Sequence, residues 1–502
     1  MKENRRDFLK KTGGCALGMV ALATQMHHLG AMSAMAQRVL DDTKDSPDAG
    51  YKALVLLYFQ GGNDGNNVII PNHSDANISN YSAYFNARNT QGLALSQASL
   101  LPIAVPRLGG LTYGLHPNLG PQTQNGTTIV NNGIYDLWAQ GKLAAVTNVG
   151  NLVRPLTRAQ YQSSSFQKPY QLFSHSDQVT QSQTSNAAIH ARTGWGGRVS
   201  DTMTSTDNPG GLIPMVTSIS GAQLFTSGQT TLPLAIADSN TSLASVLNPA
   251  GFTGTGGPAR LTAFNSLRTQ DLSSNYVAAA SHVTDLAMAA NAALASAQDV
   301  STLFPNTGLG RQLKQVARLI KDASSLSVSR QIFYVQVGSF DTHTSQINGQ
   351  GSLLIQVSQA MRSFWDEMVL QGVQNSVTTF TLSDFCRTFN PAGSGNTVGS
   401  DHAWGNHMFV MGGSVIGGDF YGSLRPDGTG NYYPTLAFGG PDDSDSGASA
   451  RGRWIPTTSV DQYAATLAKW YGLPQDAATL SAVFPNLANF ATGTFPQLGF
   501  LP

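Results

Sequence analysis

The stretch from Gln331 to Asp384 leaves this chain few options. It opens with Gln331-Ile332-Phe333-Tyr334-Val335-Gln336-Val337, a β-rich run that stops at Gly338 and is followed at once by Phe340-Asp341-Thr342-His343. Leu353, Val357, Ala360, Met361, Phe364 and Met368 then recur at three- and four-residue steps, which predicts a helix with one apolar face, ending at Gly372. A second β-rich run, Val377-Thr378-Thr379-Phe380-Thr381-Leu382, closes on Ser383-Asp384-Phe385. Strand, helix, strand at this spacing predicts a right-handed crossover between parallel strands. Asp341, His343 and Asp384 are then expected to leave adjacent strands at one carboxyl edge, where open α/β sheets place their sites.

The same pattern occurs earlier. Ala53-Leu54-Val55-Leu56-Leu57-Tyr58-Phe59 is a continuous apolar run of strand length, as a central strand covered on both faces requires. It ends in Gly61-Gly62-Asn63-Asp64-Gly65, where Asp64 is either a first metal ligand or ordinary Asp-Gly turn chemistry. Residues 78 to 112 read as surface loops with a short helix, and His116, beside Pro117, as a packed loop histidine. Ile129, Val130, Ile134, Leu137 and Trp138 predict another helix before a strand over Lys142 to Val149. Residues 210 to 256 suggest a small antiparallel subdomain or long excursions, within an insertion spanning about 205 to 300. Leu309, Leu313, Val316, Ala317 and Ile320 predict the helix that returns the chain to the sheet. Ser459-Val460-Asp461-Gln462 is a capping box for a last helix carrying Tyr463, Leu467 and Trp470. The expected fold is a mostly parallel α/β sheet from residue 53 to residue 502.

Chemistry-bearing residues concentrate in two further places. Leu172-Phe173-Ser174-His175-Ser176-Asp177 leads into a helix, so Ser174 or Ser176 is read either as its cap or as a hydroxyl nucleophile beside His175 at a positive helix end. Asp401-His402-Ala403-Trp404-Gly405-Asn406-His407 sets two histidines and an aspartate close together in a chain with few histidines. Asp64, Asp341, His343, Asp384, Asp401, His402 and His407 form an oxygen and nitrogen donor set without thiolate, which suits one or two divalent ions of zinc, manganese, magnesium or calcium. Arg387 and Arg198 are candidates to pair with a substrate oxyanion.

Charged residues make up only 12% of the 502 and the formal net charge is zero, so nothing points to nucleic acid. Asn4-Arg5-Arg6-Asp7-Phe8-Leu9-Lys10, the mostly apolar segment from Cys15 to Ala23 and Ala34-Met35-Ala36 occur in the order of a twin-arginine export signal over residues 1–36. Its partner is the twin-arginine translocase, its destination the periplasm or the exterior, and residues 37–52 read as a linker. Cys386 is the one cysteine beyond the signal, which excludes an intramolecular disulfide in the mature chain. No later apolar run approaches the roughly 20 residues of a membrane span.

These motifs together resemble the bacterial exported "domain of unknown function 1501" proteins. The resemblance rests on the twin-arginine start, Gly61-Gly62-Asn63-Asp64-Gly65, Ser174-His175-Ser176-Asp177, Phe340-Asp341-Thr342-His343, Ser383-Asp384-Phe385-Cys386-Arg387-Thr388, Asp401-His402 through His407 and Gly452-Arg453-Trp454. It implies the three-layer fold of the alkaline phosphatase and sulfatase-like superfamily. That similarity further implies that Asp64 and Asp384 bind one metal, and Asp341, His343 and either His402 or His407 another. Two departures stand out. The superfamily's frequent Asp-His pair is here Asp384-Phe385, so one ligand is absent or comes from elsewhere, with Asp401-His402 as candidate. No formylglycine motif is present, and Cys386 does not fit one.

Two functions are consistent with these residues. One is an exported metal-dependent hydrolase of phosphate or related anionic esters; the other is a non-catalytic protein of the same fold that binds glycan or a protein partner. Export is testable on its own: replacing Arg5 and Arg6 together by lysine is expected to strand full-length precursor in the cytoplasm, as fractionation and immunoblotting would show. Efficient export of that double variant contradicts the signal.

Overall fold

The structure is a computed structural model that describes residues 50–122, 131–247, 252, 254–490 and 497–502. The signal (1–36), almost all of the linker (37–52), and Ile129 and Val130 lie outside the described residues.

Twelve strands are described: β1 (Lys52–Phe59), β2 (Ile69–Pro71), β3 (Leu101–Val105), β4 (Leu111–Leu115), β5 (Leu143–Gly150), β6 (Val216–Ser218), β7 (Leu234–Ala235), β8 (Arg330–Val337), β9 (Val377–Ser383), β10 (Asn406–Gly412), β11 (Phe420–Tyr421) and β12 (Thr458–Ser459). Nine form one sheet in the order β11-β5-β10-β9-β1-β8-β6-β7, with β12 also on β5, while β2, β4 and β3 form a small antiparallel sheet. Of the nine, β10 alone runs against its neighbours.

The centre is β1, and its sequence explains why. Ala53, Val55, Leu57 and Phe59 point into one apolar layer, Leu54, Leu56 and Tyr58 into the other, and every one is buried. Full burial of each large apolar side chain contributes about 1.5–3 kcal/mol. The first layer is closed by α3 (Gly308–Lys321) through Leu313, Val316 and Ile320, and by α4 (Gln346–Leu370) through Leu354, Val357, Met361, Phe364 and Met368. The second is closed by α2 (Trp195–Asp207) through Trp195, Val199 and Met203, and by α5 (Val460–Tyr471) through Tyr463, Leu467 and Trp470. The predicted capping box of α5 is present, Ser459 and Gln462 bonding reciprocally. The result is a three-layer α/β arrangement with a mostly parallel sheet.

Several expectations change. The strands before and after α4 are parallel but not adjacent, because β1 lies between them. Residues 216–218 and 234–235 are not antiparallel pieces; β6 and β7 extend the main sheet in parallel. The stretch read as loops between 78 and 112 contains β3 as well as the helix Tyr81–Arg88, and the helix predicted before β5 is one turn, Asp136–Ala139. No helix among the described residues is long and apolar enough to cross a membrane.

One consequence of register positions the site. Phe59 pairs with both Val337 and Ser383, so β8, β1 and β9 end level with one another. Because β10 is reversed, the loop entering it, which carries Asp401 and His402, arrives at the edge where β9 leaves.

Candidate metal centre

The loops at that edge are fitted closely. Gly61, at φ +110°, donates its N–H to Asp384 Oδ2 at 3.1 Å, and a Cβ there would stand 2.5 Å from the Asp341 nitrogen. Only glycine permits both the dihedral and the approach. His175 arrives from outside the sheet, as the first residue of α1 (His175–Thr184).

Three imidazoles and one carboxylate converge. His402 Nε2 lies 3.0 Å from His175 Nε2 and 3.0 Å from His343 Nε2. Asp341 Oδ1 lies 3.4 Å from His175 Nε2, 3.0 Å from His343 Nε2 and 3.5 Å from His402 Nε2. A tetrahedral cation with ligands at about 2.0–2.1 Å separates its ligand atoms by roughly 3.3–3.4 Å. The His175, Asp341 and His402 contacts match that scale, and their ligand atoms all lie within 4.8 Å of one another. His343 meets the same two atoms.

The other ring nitrogens determine what these contacts are. His175 Nδ1 donates to Asp384 Oδ2 (2.8 Å), His343 Nδ1 to Asp401 Oδ1 (3.2 Å) and His402 Nδ1 to the Phe173 carbonyl (2.8 Å). Carboxylate and carbonyl oxygens only accept, so each Nδ1 carries the hydrogen and a neutral ring presents a bare Nε2. Three lone pairs and a carboxylate oxygen thus face one another, an arrangement that needs a cation or shared protons between them. Anchoring the far nitrogen to an acceptor is how metal-binding histidines are oriented.

Electrostatics favour a neutral His402 and an ionised Asp341, and pull His175 toward its charged form. Burial lowers the pKa of His402, against the pull of its bond to Phe173. Hydrogen bonding to Asp384 raises that of His175 despite partial burial. For Asp341 burial acts upward, but Arg387, donating from Nη2 at 2.6 Å, prevails and holds the carboxyl below its ordinary value. Burial likewise acts upward on Asp401, which Arg451 and His343 hold low. Phe385 packs its ring 4.6 Å from that of His175 and 4.8 Å from that of His402, so the residue standing where a ligand was expected forms a wall of the site.

The remaining predicted residues lie elsewhere or one step back. Asp384 and Asp401 orient His175 and His343. Asp64 is not in the cluster: it caps a short turn, accepts from Asn66, Arg88 and Gln346, and forms with Arg88 a fully buried ion pair. Its carboxylate is saturated by protein donors. His407 is also apart, buried against Tyr433 at 4.9 Å and accepting from the Asn148 N–H, with burial pushing its pKa down to about 3. Ser174 donates to Asp177 at 2.5 Å and lies 3.2 Å from Ser176, so both hydroxyls are turned to a carboxylate and to each other rather than to the cluster. Ser174 does stand at the N-cap position, without the side-chain bond to the helix N–H groups that the cap reading expected. Arg198 is structural, donating to the carbonyls of Thr184, Thr193 and Val483. His116 is the packed loop histidine expected, its pKa pushed down to about 4 by burial. Cys386 is buried, its thiol pushed up to about 12.

The family described as "Protein of unknown function (DUF1501)" matches residues 51–433. The chain belongs to that family. The match takes in all four converging residues of this DUF1501 protein. No curated protein sequence is significantly similar to it. Among solved structures it resembles Ps i-CgsB in complex with k-i-k-neocarrahexaose, with 7% identity and a TM-score of 0.33 over 88% of this chain and 77% of that one. It also resembles the PsFucS1 sulfatase from Pseudoalteromonas sp., with 8% identity and a TM-score of 0.28 over 79% and 68%. Likenesses this distant carry no functional argument.

The buried pair yields a prediction. Arg88→Met strands the Asp64 charge and is expected to destabilise the fold by about 3–5 kcal/mol in denaturant titration, whereas Asp64→Leu with Arg88→Met should recover much of that loss. The double variant is expected to retain the same metal content as wild type. Loss of metal in it would make Asp64 a ligand after all.

Proposed function

We infer that this DUF1501 protein is an exported metal-dependent hydrolase of phosphate or related anionic esters. The convergence of three oriented Nε2 lone pairs with Asp341 Oδ1 is the observation that carries this reading. His175, His402 and Asp341 are the holding residues, with His343 beside them, and a nitrogen and oxygen donor set of this kind suits zinc best among the divalent ions considered. His402 has one lone pair at Nε2, so the group serves one cation. A divalent cation bound there supplies Lewis-acid stabilisation of the charge that develops on an ester oxygen.

The chain's own residues do the rest. Asp384, Asp401 and the Phe173 carbonyl hold the three rings in the tautomer that keeps Nε2 free. Arg387 is wholly buried and sets a permanent positive charge beside Asp341, which favours an anionic substrate over a neutral one. Substrate reaches the group on the side where Asp341 and His343 are 45% and 44% exposed. Since Ser174 and Ser176 are engaged with Asp177, water is the better candidate for the attacking group. The superfamily of alkaline phosphatases and sulfatase-like enzymes is the fitting home for such a site, and Arg5-Arg6 with its following apolar segment supports export to the periplasm or beyond.

The disposition of those serines also favours a second reading, in which the site holds a cation but performs no hydrolysis and the protein binds glycan or a partner. Metal analysis and hydrolysis of an aryl phosphate decide between them. Wild type supplied with zinc is expected to hold about one equivalent, and His175→Ala, Asp341→Ala and His402→Ala are each expected to bind it at least about 10–100-fold more weakly and lose hydrolysis in parallel. Stoichiometric metal without hydrolysis of any anionic ester supports the second reading. Wild type that takes up no supplied metal ends both.

A further inference from the structure

His402 is the ring that both other imidazoles meet at 3.0 Å, and its value there depends on which of its nitrogens bears the proton. The bond that decides this, His402 Nδ1 to the Phe173 carbonyl, is built from two unusual features. Phe173 has φ +69°, a left-handed conformation that a bulky residue rarely adopts, and Gln171 before it has φ +45°. Arg453 supplies the second feature. Its guanidinium lies 4.7 Å from the centre of the Phe173 ring, and its Nε donates to the His402 main-chain carbonyl at 3.1 Å. One side chain therefore touches both partners of the bond. Arg453 is itself held, its N–H donating to Asp443 Oδ1 at 3.1 Å and its Nη1 standing 3.5 Å from Asp445. A planar guanidinium can stack and donate in one plane at once, which an ammonium cannot.

We propose that Arg453 is a positioning residue that clamps Phe173 to His402 and so fixes the Nδ1–H tautomer, turning the His402 Nε2 lone pair on the cluster. Arg453 acts through His402 and not on the cation. The proposal deepens the metal reading and rests on it for its effect on affinity, but the tautomer belongs to the metal-free chain and is measurable without metal.

The test uses isotope-labelled histidine and long-range proton–nitrogen correlation spectra of the metal-free mature protein, followed by zinc titration against a chelator. Wild type and Phe173→Tyr, which keeps the ring, are expected to show a single Nδ1–H tautomer at His402. Arg453→Met and Phe173→Leu are expected to mix the two tautomers at His402 alone, leaving His175 and His343 each a single Nδ1–H tautomer, and to weaken zinc binding by roughly tenfold or more, within the range found for residues that orient metal ligands. The single tautomers retained at His175 and His343 report that the variants are folded, and two variants on opposite sides of the clamp guard against one failing to fold. A pure Nδ1–H tautomer at His402 in both variants overturns the proposal, as does a zinc affinity equal to wild type in both. A wild type that binds no zinc, with tautomer mixing in the variants, upholds the clamp and defeats the metal reading.

Discussion

A strand buried on both faces must find apolar cover above and below and hydrogen-bond partners on both edges, and everything in this molecule is arranged to give β1 those four neighbours. Its odd and even side chains belong to separate cores, and β8 and β9 take its two edges in matching register. Level strand ends follow from that register, and with them the common edge from which loops 60–67, 338–345 and 384–389 emerge. Because β1 ends between the other two, its turn must be thin. Gly61 passes against the Asp341 main chain while bonding the Asp384 carboxylate, so the strand that organises the core also sets the spacing of the site.

How legible this was depended on sequence distance. Asp341, His343 and Asp384 could be placed at one edge because strand, turn and crossover helix are contiguous and their periodicities differ. Strand order was not legible: an apolar run states that a strand is buried, not between which partners, and β1 fell between two strands that looked adjacent. Asp64 had two open readings, and the residue that decides between them, Arg88, lies in a polar stretch read as surface loops. A buried guanidinium some twenty residues on has no periodic signature. His175 was legible as a reactive residue but not as a ligand, since its Nδ1 partner, Asp384, is more than 200 positions away and nothing local discloses which nitrogen is left bare. Its position at the first turn of a helix, among residues of an unusual Ser-His-Ser-Asp run, was the available signal.

The three histidines are oriented by chemically different acceptors, and this matters for how firmly each is set. Asp384 is buried and also holds the Gly61 N–H, so the His175 anchor is embedded in the sheet edge. Asp401 is partly exposed and shared with Arg451, which leaves His343 the most open of the three. His402 has no carboxylate on Nδ1 at all, only a main-chain carbonyl. Burial lowers the pKa of this ring and keeps it neutral, and the carbonyl, a neutral acceptor, opposes that less than a carboxylate would. The residue that meets both other rings is thus one whose surroundings resist its protonation, whereas those of His175 favour it.

Backbone strain is distributed to match. Of the non-glycine residues with positive φ among those described, Ser339 (+73°) and Ser345 (+51°) bracket Asp341 and His343, while Gln171 (+45°) and Phe173 (+69°) precede His175. Each such conformation costs roughly 1–3 kcal/mol and persists only where surrounding structure over-determines it. A chain selected for stability alone would place glycine or asparagine at those turns. Serine, glutamine and phenylalanine there imply that the side chains or the precise path are needed. At Phe173 the need is visible, because the ring is stacked on Arg453 and the carbonyl is the His402 acceptor. At Ser345 the strained residue starts α4, whose first residue, Gln346, joins the Asp64 carboxylate to Ser400, the neighbour of Asp401. Asp64 and its buried ion pair therefore stand behind the site rather than in it, joined through Gln346 to the start of α4 and to the residue before Asp401.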